Sequence, residues 1–337
     1  MSGVDALELH RSAYIADAHA DSLMWNRDLR RRQSAGHLDF ERLRQAGVRL
    51  QAFTVVTHGY PLVGGFPLFA AWRRWPLPDA LGGPWTRALF QIARLRAHCG
   101  DPAARARLAT RGAELDRAEE EGALACVLGV EGAQALEGRV DRVAELFRLG
   151  VRFMSLTHLS ANPLGGASTP GMRRRGLTPL GAEVVEAMGA AGMAVDVAHA
   201  SPGLLGSLLG QAGTRLFCSH TGVAGAAPHW RNLPDTALRA IAARGGVVGI
   251  LFGTTYLGGR ELSDVVRHLD HALRVAGEEA VCLGSDFDGF VPLPRGMRDV
   301  TDLPRLTEQL LARGHSRRTV EKVLGRNLRR FFADLLG

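Results

Sequence analysis

The chain has 337 residues, a formal net charge of +7, 46% hydrophobic residues and four cysteines. This length suits one large domain or two average ones, and α/β barrels commonly use it as a single unit. The positive charge is almost all arginine and is scattered, with short runs at 30–32 and 173–175 that lack interleaved aromatic residues. A groove for nucleic acid strands would carry such aromatics, so the composition speaks against nucleic acid as a partner.

No uninterrupted apolar stretch approaches the roughly 18 residues that a membrane helix requires. The N-terminal segment contains Asp5 and Glu8 and has no apolar core of the kind found in signal peptides. Cys126, Cys218 and Cys282 lie inside apolar, strand-like runs, and the chain has no C-x-x-C spacing. We therefore expect a cytoplasmic protein without a membrane partner, whose cysteines are reduced and mostly buried.

Eight strand-like apolar runs alternate with segments of helical periodicity. The predicted strands cover residues 14–19, 48–56, 123–130, 151–157, 193–198, 215–219, 246–252 and 281–284. Helices predicted between them include 87–121, 139–149, 179–191, 234–243 and 262–276. Glycines placed to end the preceding helices are Gly47, Gly150, Gly192 and Gly245.

Strand followed by helix, repeated eight times, predicts an α/β fold of the (β/α)₈ or TIM-barrel type, with a single domain over 1–337. An open, doubly wound sheet is the alternative. That fold would call for a glycine-rich phosphate loop after an early strand, and the chain has none.

Two segments interrupt the alternation and are predicted to be long loops. Residues 57–85, after the second strand, are rich in Gly, Pro and aromatic residues. Residues 159–176 form a polar segment after the fourth strand. Long loops after barrel strands build the active-site face, so both are candidate substrate walls. For the first, which carries His58, Trp72, Trp75 and Trp85, packing on the barrel or on a partner subunit is an equal alternative.

Polar side chains stand where most of the predicted strands end. They are Asp17, His19, Asp21, Glu131, His158, His199, Ser219, His220, Asp286 and Asp288. A single one, such as His199, would most simply be a core histidine. Because the carboxyl ends of all barrel strands share one rim, we expect these side chains to converge. Histidine and carboxylate ligands suit zinc and similar ions, so the pattern predicts a metal site made of His19, Asp21, Glu131, His199 and His220.

Two ions are predicted because Glu131 is the one glutamate of this set and can bridge. Asp286 is the predicted proton carrier, since a carboxylate beside an activated water can take its proton and pass it to a leaving nitrogen. Asp288 is the competing assignment, or else a structural residue of the rim. His158 is predicted to stabilise the developing oxyanion, with a hydrogen bond to loop backbone as the alternative.

Motifs spread along nearly the whole chain carry a family resemblance. They include Asp17-Ala18-His19-Ala20-Asp21, Gly129-Val130-Glu131-Gly132, Leu156-Thr157-His158, Asp196-Val197-Ala198-His199, Ser219-His220, Arg231-Asn232-Leu233-Pro234-Asp235, His268-Leu269-Asp270-His271 and Gly284-Ser285-Asp286-Phe287-Asp288-Gly289. With these motifs the chain resembles the membrane (renal) dipeptidase family, metallopeptidase family M19, a branch of the amidohydrolase-like TIM barrels.

The resemblance implies a binuclear zinc hydrolase with two Zn²⁺ per chain. It implies that His19 and Asp21 bind one zinc ion and that His199 and His220 bind the other. Glu131 would bridge the two ions.

The resemblance also implies roles for residues around the metals. Asp286 matches the catalytic aspartate, and His158 matches the histidine that polarises the substrate. Arg231 matches the arginine that holds the substrate's terminal carboxylate, which suits a guanidinium fork, and Tyr256 matches a tyrosine of the substrate pocket. From the residues alone, Arg231 is a loop arginine and Tyr256 a half-buried aromatic.

The resulting expectation is a dipeptidase that hydrolyses small L,L-dipeptides, with L,D-dipeptides as a further class. A metal-bridging hydroxide would attack, with Asp286 as general acid and base. The alternatives are another amide hydrolase on the same barrel, such as an N-acyl amino acid hydrolase, and a catalytically silent metal-binding protein. A silent protein would commonly have lost a ligand or the proton carrier, and this chain has lost neither. The ligands would also accept cobalt or manganese, and a homodimer is one expected assembly.

One difference between this chain and the family pattern concerns the substrate pocket. After the seventh strand, members of the family often carry an Asn-Phe run where this chain has Leu251-Phe252-Gly253. The difference removes a polar group near the pocket, which affects the preferred side chains of the dipeptide and not the hydrolytic chemistry.

Overall fold

The computed structural model of the chain describes residues 3–57, 65–173, 175–211 and 213–337. Strands within these ranges are β1 (Ile15–Asp17), β2 (Val48–Val56), β3 (Ala106–Leu108), β4 (Leu124–Glu131), β5 (Val151–Ser155), β6 (Ala194–Asp196), β7 (Leu216–Thr221), β8 (Val248–Ile250) and β9 (Val281–Leu283). Helices within them are α1 (Gly3–Ser12), α2 (Phe40–Gln45), α3 (Gly65–Trp72), α4 (Leu77–Leu81), α5 (Pro84–Gly100), α6 (Gly112–Glu120), α7 (Arg142–Arg148), α8 (Pro179–Ala191), α9 (Pro202–Gly210), α10 (Asp235–Ala242), α11 (Thr254–Leu257), α12 (Leu262–Ala276), α13 (Pro304–Ala312), α14 (Arg317–Glu321) and α15 (Asn327–Leu336).

The strands form one closed parallel barrel. Neighbouring strands pair in the order β2-β1-β9-β8-β7-β6-β5-β4, and β2 also pairs with β4, which closes the circle. The short β3 lies outside this circle and pairs with the first residues of β4, while β5 pairs with the later part of β4. The TIM-barrel prediction is therefore confirmed, and the open-sheet alternative is wrong. None of the described helices has the length and apolar character needed to cross a membrane.

All eight predicted strands are present with small differences at their ends. The glycines predicted to end helices have a backbone suited to that position, because φ is +72° at Gly47, +105° at Gly150, +80° at Gly192 and +72° at Gly245. In this left-handed region glycine has no side chain to clash.

The prediction of one helix over 87–121 is wrong. Helix α5 ends at Gly100, and a short 3₁₀ turn (Pro102–Ala104) and strand β3 separate it from α6. Pro102 has no N–H to continue the α-helical hydrogen bonds, and the Asp101 carboxylate caps the next turn by accepting from Ala103 N at 3.0 Å. The break places β3 alongside β4.

Residues 57–85 are not simply a loop, since α3 and α4 lie within them. Phe66, Ala70, Trp75 and Ala80 form a small apolar cluster with Met24 and Val56 of the barrel side. Trp75 also donates its indole N–H to Met24 O at 3.0 Å. The part of this segment that the structure describes, from residue 65 onward, therefore packs on the barrel, which is one of the predicted alternatives. His58 lies outside the described residues.

The barrel is closed by apolar side chains at the end opposite the polar strand ends. Phe153 of β5 and Phe217 of β7 point inward and meet the C-terminal helix α15. The Phe217 ring lies 4.9 Å from that of Phe331, and the Phe153 ring lies 6.1 Å from that of Phe332, measured between centroids. Because this end is filled, the polar groups of the barrel interior face the other rim.

Candidate metal centre

Five predicted ligands meet at the carboxyl-terminal rim of the barrel. His19 and Asp21 follow β1, Glu131 ends β4, His199 follows β6, and His220 lies near the end of β7. None of the five is more than 5% exposed. Parallel strands bring their carboxyl ends to one edge, which is why residues separated by 201 positions of sequence come together.

Glu131 belongs to two overlapping groups whose ligand atoms lie within 4.8 Å of one another. One group is His19, Asp21 and Glu131, and the other is Glu131, His199 and His220. Glu131 Oε1 lies 3.0 Å from His199 Nε2, 3.4 Å from His220 Nε2 and 3.8 Å from His19 Nε2. The carboxylate thus stands between the two groups, in the position that a bridging ligand needs.

The environment of Glu131 fits a cation. Both carboxylate oxygens are buried, and neither accepts a hydrogen bond from the described part of the chain. Burial, together with the nearby Asp21, raises the pKa of Glu131 well above its ordinary value. An ionised carboxylate in this setting is costly without a compensating charge, and imidazole nitrogens with carboxylate oxygens are the donors that zinc prefers.

Burial and neighbouring carboxylates shift the pKa values of the three candidate histidine ligands in different directions. Burial opposes protonation of His19, but Glu131 and Asp21 outweigh it and raise the pKa of His19 to about 10. His199 and His220 behave in the opposite way, because burial lowers the pKa of each well below the ordinary value. The second group therefore presents neutral imidazoles, the form that binds metals.

Asp286 lies within reach of both groups. Its Oδ1 is 3.9 Å from His19 Nε2, and a third set of clustered ligand atoms consists of His19, His220 and Asp286. Burial raises the pKa of Asp286 to about 7, although His19 works in the other direction. The carboxylate is thus placed beside the ligands that the two groups contribute.

Two site residues have a strained backbone. The φ angle is +63° at His199 and +62° at Asp286, in the left-handed region that residues with a Cβ rarely adopt. Such a conformation costs on the order of 1 kcal/mol or more, and it persists where the surroundings impose it, often at functional sites. For His199 one such constraint is Ser168 N, which donates to its carbonyl oxygen at 2.8 Å.

His158 and Arg231 flank the metal ligands. His158 Nε2 lies 3.5 Å from Glu131 Oε2, and its ring centroid is 4.6 Å from that of His199. Arg231 is 2% exposed and donates through Nη2 to His220 O at 2.9 Å, while its buried Nε has no hydrogen-bond partner among the described residues. Burial raises the pKa of both Glu131 and Asp286, and the nearby guanidinium charge only partly opposes that rise.

Tyr256 and Asp288 lie outside the ligand groups. The Tyr256 ring packs against His229, with centroids 5.1 Å apart, and so stands beside the loop that carries Arg231. Asp288 accepts from Ser22 Oγ at 2.5 Å, from His37 N at 2.8 Å and from the Arg27 guanidinium. This network makes Asp288 a structural residue, the second of the two interpretations of its motif.

Sequence reasoning placed Asp17 and Ser219 at the strand ends but missed the Asp–Ser hydrogen bonds beneath the candidate ligands. Asp17 accepts from Ser285 N at 2.7 Å and from Ser285 Oγ at 2.6 Å, across β1 and β9. Asp196 accepts from Ser219 N at 2.9 Å and from Ser219 Oγ at 2.6 Å, across β6 and β7. The available signal was an aspartate at the end of an apolar strand, two or three residues before a ligand histidine.

Comparisons with known proteins agree with this architecture. The sequence model of the family described as membrane dipeptidase (peptidase family M19) matches residues 4–335. A Klebsiella pneumoniae protein described as an uncharacterized protein in the pqqA 5′ region is 35% identical over 249 residues, which cover 70% of this chain and 92% of that protein.

Solved structures share the fold. The probable dipeptidase PvdM of Pseudomonas aeruginosa has a TM-score of 0.84 at 19% identity, with 99% of this chain and 98% of that chain covered. A metallo peptidase of Rhodobacter sphaeroides, liganded with a phosphinate mimic of the dipeptide L-Ala-D-Ala, has a TM-score of 0.79 at 24% identity, with 95% and 98% covered.

Gly289 lies against the Asp286 carboxylate and leaves no room for a side chain of its own. A Cβ atom at this glycine would lie 2.0 Å from Asp286 Oδ1 and 3.1 Å from Asp21 Oδ2, so Gly289→Ala must displace the Asp286 carboxylate. We expect kcat for a dipeptide to fall by about 10²-fold, because displacements near 1 Å can have that effect. The measurement is steady-state kinetics with a melting curve for each variant.

Gly189→Ala on α8 is the matched control, because a Cβ there meets nothing within 4 Å. It should leave kcat unchanged. Wild-type kcat in Gly289→Ala would show that the position of Asp286 does not matter for turnover.

Proposed function

Because this chain belongs to the membrane dipeptidase family, peptidase family M19, and is a metallo-dipeptidase of that family, we propose that it is a binuclear zinc enzyme that hydrolyses the peptide bond of small dipeptides. The observation that carries this proposal is the position of Glu131. Its buried carboxylate is shared by two groups of ligand atoms and receives no hydrogen bond from the described residues.

The residues that would hold the metals divide into two sets around Glu131. His19 and Asp21 complete one set, and His199 and His220 complete the other. When bound, zinc ions supply a Lewis acid that activates water and polarises a carbonyl group. Thr54 assists the first set by donating its hydroxyl to Asp21 Oδ1 at 2.6 Å, which fixes that carboxylate and leaves its other oxygen available.

Asp286 would carry the proton. It lies 3.9 Å from His19 Nε2, so its carboxylate borders the space between the ligands where water and the scissile bond would meet. From there an oxygen of Asp286 can accept a proton from the attacking water and deliver it to the leaving amine nitrogen. The strained backbone of the residue holds the carboxylate in that place.

His158 and Arg231 would bind and polarise the substrate. His158 lies on the Glu131 Oε2 side of the ligands, where an imidazole N–H can donate to the carbonyl oxygen as negative charge develops. The Arg231 guanidinium is oriented by His220 O, which accepts from Nη2, and its buried Nε has no partner among the described residues, an arrangement ready for a carboxylate. Tyr256, packed on His229, would complete the wall beside that carboxylate.

The proposed substrates are L,L-dipeptides and, as a second class, L,D-dipeptides. The Rhodobacter sphaeroides neighbour, which is liganded with a phosphinate mimic of L-Ala-D-Ala, supports including the second class. We further propose a cytoplasmic location, in keeping with four cysteines that are all free thiols, three of them buried. A homodimer is the proposed assembly.

The first test separates the proton carrier from the ligands. Asp286→Asn retains the size of the side chain and leaves the five ligands unchanged, so we expect both zinc ions to remain bound. We expect kcat to fall by about 10²- to 10⁴-fold, the usual contribution of a general acid and base. Zinc content by mass spectrometry and kcat are measured on the same sample, and wild-type kcat in this variant would remove Asp286 from the mechanism.

The second test identifies the substrate class and the role of Arg231. Wild-type enzyme is assayed with free dipeptides, with the same dipeptides as C-terminal amides and with N-acyl amino acids. We expect free dipeptides to have the highest kcat/KM. Arg231→Ala should raise KM for free dipeptides by about 10- to 100-fold, because it removes charged hydrogen bonds, and should hardly affect the amides.

Other outcomes of this assay have a clear meaning. A higher kcat/KM for N-acyl amino acids would favour that hydrolase as the function. Loss of activity that is equal for free dipeptides and amides would show that Arg231 does not hold the terminal carboxylate. Hydrolysis of none of the three classes, with zinc bound, would favour a silent metal-binding protein.

A further inference from the structure

One serine hydroxyl contacts both halves of the metal centre from below. Ser219 is fully buried at the rim end of β7. Its Oγ lies 2.6 Å from Asp196 Oδ2, 2.9 Å from His220 Nδ1 and 3.2 Å from His19 Nδ1. The two histidines belong to different ligand groups, so a single hydroxyl links the two proposed metal subsites.

The number of hydrogen bonds that a hydroxyl can donate and accept determines the direction of these contacts. A serine hydroxyl has one proton to donate and two lone pairs that accept. Ser219 Oγ donates its one proton to Asp196 Oδ2. Both imidazoles must then donate N–H from Nδ1 to Ser219 Oγ. This arrangement places the Nε2 atoms of His19 and His220 toward Glu131 Oε1, at 3.8 Å and 3.4 Å, where a bound metal ion would take the place of any proton on them.

The backbone holds this hydroxyl in a fixed place. Asp196 Oδ1 accepts from Ser219 N at 2.9 Å and from Ala198 N at 2.9 Å, so the carboxylate is locked to two strand ends. Gly249 and Gly284 allow β8 and β9 to approach closely, since a Cβ at either would lie 2.0 Å from Ser219 O. With no side chain at either glycine, β8 and the end of β9 can lie close to the Ser219 backbone on one side of β7.

We propose that Ser219 is a positioning residue that holds His19 and His220 as Nδ1–H tautomers and thereby prepares both metal subsites at once. The inference rests on the proposed function in that it takes these histidines as ligands of two different ions. Ligand histidines commonly donate their second N–H to a carboxylate, and loss of that partner typically lowers metal affinity by about 10- to 100-fold. Here one carboxylate, Asp196, serves two histidines through Ser219.

The chain offers a matched control in Ser285. Its Oγ and N both bond to Asp17, at 2.6 Å and 2.7 Å, in the same way that Ser219 bonds to Asp196. Ser285 Oγ also lies 3.1 Å from the backbone oxygen of His19 and accepts from Phe287 N, but none of its hydrogen bonds among the described residues goes to an imidazole nitrogen. Ser285→Ala therefore removes an equivalent Asp–Ser hydrogen bond without removing an acceptor from a ligand histidine.

The experiment measures metal binding by the full-length chain. Metal-free protein is titrated with Zn²⁺ in competition with a chromophoric chelator, and the visible absorption of the Co²⁺-loaded protein reports the ligand field at each ion. We expect Ser219→Ala to weaken binding of both ions by about 10- to 100-fold and to change the Co²⁺ bands. Ser285→Ala should lower the melting temperature to a similar extent and leave both affinities and the Co²⁺ bands as in wild type.

Asp196→Asn is the second variant. Two backbone N–H groups face Oδ1, so the asparagine must turn its oxygen toward them and its NH₂ toward Ser219 Oγ. That donor occupies one of the two lone pairs, and the hydroxyl can then serve only one imidazole. We expect a loss of affinity smaller than that of Ser219→Ala.

Wild-type affinity for both ions in Ser219→Ala, or an equal loss in Ser219→Ala and Ser285→Ala, would overturn the inference. A loss at one ion only would likewise overturn the claim that the hydroxyl serves both subsites. These results are distinct from failure of the proposed function, which would appear as a wild-type chain that does not bind two ions or does not hydrolyse dipeptides.

Discussion

A buried carboxylate that receives no hydrogen bond is the constraint on which the whole site depends. Glu131 is 2% exposed, and its two oxygens accept no hydrogen bond from the described residues. In a medium of low polarity such an anion is unstable unless a positive charge is placed beside it, and the group otherwise takes up a proton. The imidazole and carboxylate groups on either side of Glu131 are donors that suit a metal ion, and a bound metal ion would supply that charge. Helix α15 fills one end of the barrel with apolar side chains. Solvent and substrate can therefore reach such a cluster only from the opposite end.

The elements and the convergence of the candidate ligands could be predicted from the sequence because their signals are local. Apolar runs predict the strands, and a histidine or carboxylate at the end of each run lies on the common rim whatever the exact register. Glu131 and His220 are examples, since both fall at strand ends that periodicity locates to within one or two residues. The prediction of one helix over 87–121 was wrong for a local reason. A single proline and an aspartate cap divide the segment, and its overall composition does not reveal this break.

The rest of the site depends on contacts between strands, which the sequence does not display. The bond from Ser219 to Asp196 joins residues 23 positions apart, and the bond from Ser285 to Asp17 joins residues 268 positions apart. Asp286 and Asp288 are two residues apart and of the same type, yet one borders the metal ligands and the other is enclosed by Ser22, His37 and Arg27. The backbone is left-handed at both positions, and no pattern of residue types reveals which of the two carboxylates meets the candidate ligands.

The number of metal ions held per chain, and its dependence on Glu131, tests the central claim most directly. Elemental analysis of the purified protein after equilibration with zinc should give two ions per chain. Glu131→Ala, which removes the shared ligand, should weaken binding at both subsites and reduce the bound zinc below one ion per chain under the same conditions. A wild-type chain that saturates with one ion, or a Glu131→Ala variant that retains two, would contradict a centre built around this carboxylate.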